Sequence, residues 1–135
     1  MFTNVIFKES FDRQVLNVEF NNLSKKNALS LEMLKKMASK LSQPGFITKF
    51  KCIMITGTKK SAFSSGADLD DIKELVNKSK INLYHKKMNN LLKIITELEI
   101  PVISVIRSYC FGAGFILALH SDIIIAADNA LFCIP

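Results

Sequence analysis

The sequence lacks the features that mark disulfide-rich, metal-binding and membrane proteins. It has three cysteines, an odd number, and no two of them have the Cys-x-x-Cys spacing of a zinc or redox site. No apolar run approaches the ~18 residues that suggest a membrane helix, and the first residues lack the basic start of a targeting segment. A reducing, cytoplasmic setting is therefore expected, with an organelle matrix as the alternative.

Linkers, internal repeats and low-complexity segments are also absent, which predicts one domain over residues 1–135. The 135 residues are 49% hydrophobic, enough for a single core. The formal net charge of +6 favours anionic partners such as phosphorylated cofactors, but a solvated basic surface would give the same value. Charge alone therefore does not choose between a binding site and a solvated surface.

Hydrophobic periodicity predicts strands that alternate with helices. Leu16, Val18 and Phe20 alternate with less apolar residues, which indicates a half-buried strand joined by a turn to an earlier strand at residues 5–7. Ser30 is expected to cap the first helix. Strands buried on both faces are expected at 52–55, 102–106 and 123–126, and helices at 31–41, 69–76, 81–98 and 113–119. This order predicts parallel βαβ units with right-handed crossovers.

Two small-residue turns give the strongest functional signal. Residues 63–69 read FSSGADL and residues 111–115 read FGAGF, and each turn opens an amphipathic stretch. Each should therefore present unpaired backbone N–H groups at a helix start. Two such donors that converge on one point would form an oxyanion hole, in which fixed N–H dipoles stabilise negative charge on a carbonyl oxygen.

The sequences of these two turns resemble those of the crotonase family, which includes the enoyl-CoA hydratases and isomerases. Residues 63–68 are similar to its F-x-x-G-A-D turn, and residues 111–122 to its second glycine-rich turn and the helix that follows. Residues 27–29, 122–126 and 132–135 match further family elements. The resemblance covers the whole of this chain, but the chain corresponds to only about the first half of such a domain. It implies an α/β crotonase/ClpP-like spiral of ββα units, truncated before the C-terminal helices.

The resemblance also implies a function and a set of site residues. An acyl-CoA thioester would be the substrate, coenzyme A would enter only as part of it, and no metal or tightly bound cofactor is implied. The implied oxyanion donors are the backbone amides of Ala67 and Ala113. Full-length members would form homo-trimers or hexamers. The implied substrate contacts are Lys26, Ala28, Ser65, Gly66, Ala67, Asp68, Leu69, Tyr109, Phe111, Ala113 and Pro135.

Departures from the family pattern limit this chemistry. Hydratases of the family use two glutamates, but this chain has Ile116 at the first position, and the second would follow Pro135. Isoleucine cannot exchange a proton, so isomerisation or another single-carboxylate enolate reaction is favoured over water addition. Ser108 replaces a common glycine, which predicts strain before the second turn. The remaining titratable residues near the turns are expected to be structural or solvent-facing: Asp71, Glu74, His85 and His120.

Two other functions are kept as alternatives. A truncated, catalytically inactive relative would explain Ile116, and the 135-residue chain alone is expected to lack turnover and to expose apolar surface. Binding to RNA through the basic helix at 77–93 would be electrostatic and salt-dependent. That segment has Tyr84 but no array of stacking aromatics, so nucleic acid and membranes are not the expected partners.

Overall fold

The computed structural model describes residues 4–58, 61–73 and 78–134. Along these residues strands and helices follow one another as the periodicity predicts. The strands are β1 Val5–Ser10, β2 Val15–Phe20, β3 Cys52–Gly57, β4 Val102–Ile106, β5 Tyr109–Phe111, β6 Ile123–Ala126 and β7 Leu131–Cys133. The helices are α1 Leu31–Leu41, α2 Leu69–Lys73, α3 Lys78–Glu97 and α4 Ala113–Leu119, with short 3-10 turns at Leu23–Lys25 and Ile47–Lys49.

Five of the strands form one sheet, in the order β1-β2-β3-β4-β6. Strands β1 and β2 are an antiparallel hairpin, and β2, β3, β4 and β6 run parallel to one another. Helices lie between the parallel strands along the chain, so the predicted βαβ organisation is confirmed. The remaining strands, β5 and β7, form a separate parallel pair.

The core lies between the sheet and helices α1 and α3. Ser30 caps α1 as predicted, because its Oγ accepts a hydrogen bond of 3.2 Å from the Met33 N–H. The apolar stripe of α1 and the matching stripe of α3 are buried against the alternate residues of β2, β3 and β4. The largest fully buried side chains are Phe20, Phe63, Leu16, Leu29, Met33, Leu34, Met37, Ile53, Ile55, Leu91, Ile95 and Ile106.

The burial of the strands differs from the sequence expectation. Strand β4 alternates between buried and partly buried residues, and β3 does so from Cys52 to Ile55, so neither predicted segment is fully buried on both faces. All four residues of β6, an edge strand that pairs with β4, are exposed, because the described part of the chain covers neither of its faces. The expectation that residues 123–126 are buried is therefore wrong. The expected exposed apolar surface is present in residues 119–134, at Leu119, Ile123, Ile124, Ile125, Leu131, Phe132 and Ile134.

A close contact holds the second turn against the first. Gly114, in the first turn of α4, is buried, and a Cβ at this position would overlap the Cβ of Ser64. We expect Gly114→Ala to lower the free energy of unfolding by about 1–3 kcal/mol, because overpacking forces the two turns apart. Urea denaturation measures the loss. Ser64→Gly removes the overlapping atoms, so a Gly114→Ala loss that Ser64→Gly does not reduce in the double variant would contradict this packing.

Candidate active site

The two small-residue turns lie side by side. Gly66 and Gly112 both have positive φ angles, +113° and +51°, which side chains rarely adopt. A Cβ built on Gly66 would lie 3.9 Å from the amide nitrogen of Ala113, and one built on Gly112 would lie 3.5 Å from the Cα of Gly66. The structure therefore brings the two predicted amide donors, Ala67 and Ala113, to adjacent backbone segments.

Leu29 is hydrogen-bonded to the residues before and after Ala67. The Leu29 N–H donates to the Gly66 carbonyl oxygen at 2.7 Å, and the Asp68 N–H donates to the Leu29 carbonyl oxygen at 3.0 Å. These two bonds form a parallel bridge between Leu29 and Ala67. In such a bridge the central residue keeps its own N–H on the far side, so the Ala67 N–H points away from Leu29.

The amide of Ala113 is left unpaired within its own helix. Ala113 is the first residue of α4, and the first hydrogen bond that closes a helical turn there runs from the Ile116 N–H to the Gly112 carbonyl oxygen at 3.0 Å. The Ala113 N–H precedes that bond and has no partner along the helix. Since the positive φ falls on Gly112, an alanine is accommodated at the next position.

The strain expected before the second turn is absent. Ser108 does not adopt a positive φ, and its carbonyl oxygen accepts a hydrogen bond of 3.3 Å from the Leu131 N–H. The neighbouring Arg107 donates through Nη1 to Thr56 Oγ1 at 2.7 Å. Both residues therefore fit the chain's own packing here, and the prediction of strain is wrong.

Both predicted donors line one mainly apolar cavity of about 280 Å³. Its walls come from α2, from one face of α3, from the first turn of α4 and from the chain after β7. Ile116, at the position where the family would have a glutamate, is among these walls. The lining residues are Ala67, Ile72, Ile81, Tyr84, His85, Met88, Gly112, Ala113, Ile116 and Ile134.

A second hollow, of about 380 Å³, adjoins the first at Ala67. Its lysine, Lys25, contacts Asp68 and Asp70, with Nζ 2.8 Å from an oxygen of each carboxylate. The hydrogen bond to Asp68 raises the pKa of Lys25, and the bond to Asp70 raises it further. The lysine charge at this hollow is therefore neutralised by carboxylates. The lining residues are Lys25, Ala28, Ser65, Ala67, Asp68, Leu69 and Asp70.

A third hollow, of about 230 Å³, surrounds the other lysine of this loop. Lys26 has a left-handed backbone, and its carbonyl oxygen accepts a hydrogen bond of 3.0 Å from the Ser65 N–H. Tyr109 and Phe111 lie on the opposite wall, on strand β5, which sequence periodicity did not reveal. The structure thus groups the predicted contact residues around the two turns, except for Pro135, which lies outside the described residues.

Most of the other titratable side chains near the turns make contacts outside the cavity. Asp71 accepts a hydrogen bond of 2.6 Å from the Leu31 N–H at the start of α1, and His120 Nδ1 lies 2.8 Å from the Ile116 carbonyl oxygen, away from the cavity. Burial raises the pKa of Cys110 to about 12, so this thiol is a poor nucleophile. Glu74 lies outside the described residues. The contact of His120 agrees with the expected structural role, whereas Asp71, expected on a solvated helix face, is part-buried and bonded to the Leu31 N–H.

His85 differs from the other candidates, because it lines the cavity that contains Ala67 and Ala113. Sequence reasoning treated it as structural or solvent-facing. The signal that would have found it is helical spacing: Ile81, Tyr84, His85 and Met88 fall at the i, i+3, i+4 and i+7 positions of one helix face.

The described part of α3 presents no exposed phenylalanine, tyrosine or tryptophan to a nucleic-acid base. Tyr84 is buried and cannot stack on a base, and Lys93 pairs with Glu97 at 3.7 Å. Residue 77 and the neighbouring residues 74–76 lie outside the described ranges. Within those ranges, no cluster of three or more potential metal ligands occurs, and no helix is both long and apolar enough to cross a membrane.

The chain is similar to known protein sequences and structures. A sequence profile described as enoyl-CoA hydratase/isomerase matches residues 10–135. The chain is 29% identical to the short-chain-enoyl-CoA hydratase of Clostridium acetobutylicum, over 98% of this chain and 49% of that protein. It is 27% identical to a probable mitochondrial enoyl-CoA hydratase 2 of Arabidopsis thaliana, over 92% of this chain and 41% of that protein.

A solved structure shows the same architecture. The crystal structure of an enoyl-CoA hydratase from Bacillus anthracis superposes with a TM-score of 0.90 at 25% identity, over 98% of this chain and 50% of that one. The predicted fold, an α/β arrangement of the crotonase type, is therefore confirmed. The chain spans about half the length of the relatives it matches.

Proposed function

The chain belongs to the enoyl-CoA hydratase/isomerase family, and on that premise we propose that it binds an acyl-CoA thioester and stabilises the thioester enolate between the amides of Ala67 and Ala113. One observation supports this above the others: both amides border a single apolar cavity, on turns whose backbones touch. When a base removes a proton next to a thioester, negative charge develops on the carbonyl oxygen. Two fixed N–H dipoles stabilise that charge without having to reorganise.

The apolar cavity is the proposed acyl site. Its walls are dominated by aliphatic side chains, among them Ile72, Ile81 and Ile116, which suit a hydrocarbon chain. The thioester would lie at the end of the cavity where Ala67 and Ala113 meet. Because the described walls hold no carboxylate, we assign the chain an enolate-forming reaction such as isomerisation, in preference to water addition by two glutamates.

The two smaller hollows are the proposed sites of the coenzyme. The hollow beside Asp68 and Leu69 would receive the adenine, as the family resemblance implies. Lys25 is already paired with carboxylates there, which leaves Lys26 as the cation of this loop that we assign to a phosphate of coenzyme A. Ala28 and Ser65 would contact the coenzyme through the backbone of the same loops.

Calorimetric titration with a non-reactive acyl-CoA thioether tests the proposal. We expect saturable binding of the acyl-CoA, and weaker binding of the same acyl group on pantetheine, which lacks the nucleotide. If the acyl-CoA does not bind, the proposed function is wrong.

Lys26 provides a sharper test of the coenzyme site. We expect Lys26→Gln to raise the Kd for the acyl-CoA by about two- to fivefold, because one exposed charge pair is worth ~0.2–1 kcal/mol. The effect should shrink as salt is added. Lys51→Gln is the matched control, since Lys51 is exposed at the amino end of β3, away from the turns, and should leave the Kd unchanged. Equal effects of the two changes would contradict the assignment of Lys26.

A further inference from the structure

We propose that His85 carries the proton in the enolate-forming reaction, as base towards the thioester and then as acid towards the enolate. This inference rests on the proposed function. It names the group that performs the proton transfer at a site where the first of the family's two glutamate positions is occupied by Ile116. Whereas the 135-residue chain was expected to lack turnover, a proton carrier in the cavity wall predicts measurable proton exchange.

The position of His85 follows from the spacing of α3. Ile81, Tyr84 and Met88 share its helix face, and all four side chains line the cavity that Ala67 and Ala113 border. The rings of Tyr84 and His85 meet nearly at right angles, with centroids 6.4 Å apart. His85 itself is exposed, so its imidazole is at the open side of the cavity and can exchange protons with solvent.

The other titratable group in the described cavity wall is unsuited to this role. The Tyr84 hydroxyl donates to the Leu29 carbonyl oxygen at 2.9 Å. Burial raises the pKa of Tyr84, and the negative charges of Asp71 and Asp68 raise it further. Tyr84 therefore keeps its proton and supports the Leu29 bridge, whereas the imidazole of His85 has ring nitrogens that can accept and donate a proton.

The proposed step balances without any further reactant. A ring nitrogen of neutral His85 takes the α-proton of the acyl thioester. The electron pair of the broken C–H bond forms a double bond between the α-carbon and the carbonyl carbon, and the carbonyl π pair moves to the oxygen beside Ala67 and Ala113. The imidazolium then returns a proton, to the α-carbon for simple exchange or to the γ-carbon of a 3-enoyl thioester for isomerisation. No electrons are gained or lost overall.

Hydrogen–deuterium exchange at the α-carbon tests this role. The 135-residue chain is incubated with butyryl-CoA in D₂O, the α-proton signal is followed by NMR, and binding of butyryl-CoA is measured in parallel by calorimetry. We expect His85→Gln to slow exchange by about 10²-fold or more, the usual contribution of general acid–base catalysis, with the Kd changed by less than about twofold. His120→Gln is the matched control and should exchange at the unaltered rate, because His120 lies outside the cavity.

The outcomes separate the two proposals. If butyryl-CoA does not bind, the proposed function fails, and the role of His85 fails with it. If it binds but the unaltered chain does not exchange the α-proton, or if His85→Gln exchanges as fast as the unaltered chain, the role of His85 is wrong while acyl-CoA binding stands. Slow exchange in His85→Gln with intact binding, and normal exchange in His120→Gln, supports both proposals.

Discussion

Replacement of Ala113 with proline is expected to weaken the binding of an enolate-mimicking acyl-CoA analogue by about 2.7–4 kcal/mol, roughly 10²- to 10³-fold in Kd. Proline has no N–H, so the change removes one of the two proposed oxyanion donors. It should leave α4 in place, because Ala113 is the first residue of that helix and proline is well tolerated there. Calorimetry with the analogue measures the loss.

The matched control for this variant is Ala113→Gly. Glycine retains the N–H, so the analogue should bind about as tightly as it does to the unaltered chain. Circular dichroism and thermal unfolding of both variants show whether α4 survives the substitution. If Ala113→Pro is folded and binds the analogue with unchanged affinity, the assignment of Ala113 as a donor is wrong.

The 135-residue chain is expected to self-associate through the exposed side of β6. Ile123, Ile124 and Ile125 of β6 are 49%, 39% and 53% exposed, and Leu131 and Phe132 of β7 are also exposed. Such an edge offers both apolar surface and unpaired backbone groups to a second chain. Light scattering should therefore give a mass above that of the monomer, rising with concentration.

A lysine at the centre of this edge should reverse the association. We expect Ile125→Lys to raise the dissociation constant by about tenfold or more, because the ammonium group would have to lose its hydration in the contact. Phe11→Lys is the matched control: Phe11 is 76% exposed in the hairpin turn, so the same charge is added at an isolated apolar side chain. A concentration-independent monomer before any substitution would show that the exposed edge of β6 does not drive association.

Local periodicity predicted most of the helices and strands but not how deeply each of them is buried. The alternation in β2 predicted which of its residues are buried, because this strand packs on the core through one face. In α1, Leu34, Met37 and Leu41 are buried as the apolar stripe predicts, and Met33, which the stripe did not include, is buried as well. An apolar run such as β6 has no such asymmetry, so its sequence does not tell whether it lies inside the sheet or at its edge. Strand β5 has three residues, too few for a period to be visible.

The candidate site could be predicted where it depends on short turns. The glycines that bring Ala67 and Ala113 together are visible in the sequence, because positive φ angles select glycine. The pairing of Lys25 with Asp68 joins residues far apart in the chain, and no local pattern indicates that it neutralises the lysine. The position of His85 in the cavity wall can be predicted only from the whole α3 face, because a single histidine carries no such signal.

The order of the sheet affects how the chain can fold during its synthesis. Each strand of the five-stranded sheet pairs with the strand that precedes it in the sheet along the chain, from the β1–β2 hairpin to β6. No strand has to wait for a later one before it can pair, so the sheet can grow by addition at one edge as the polypeptide leaves the ribosome. The parallel steps still require the intervening helix to be made first, which makes each of them slower than the hairpin. At each stage of this growth the newest strand forms the growing edge, and among the described residues that strand is β6.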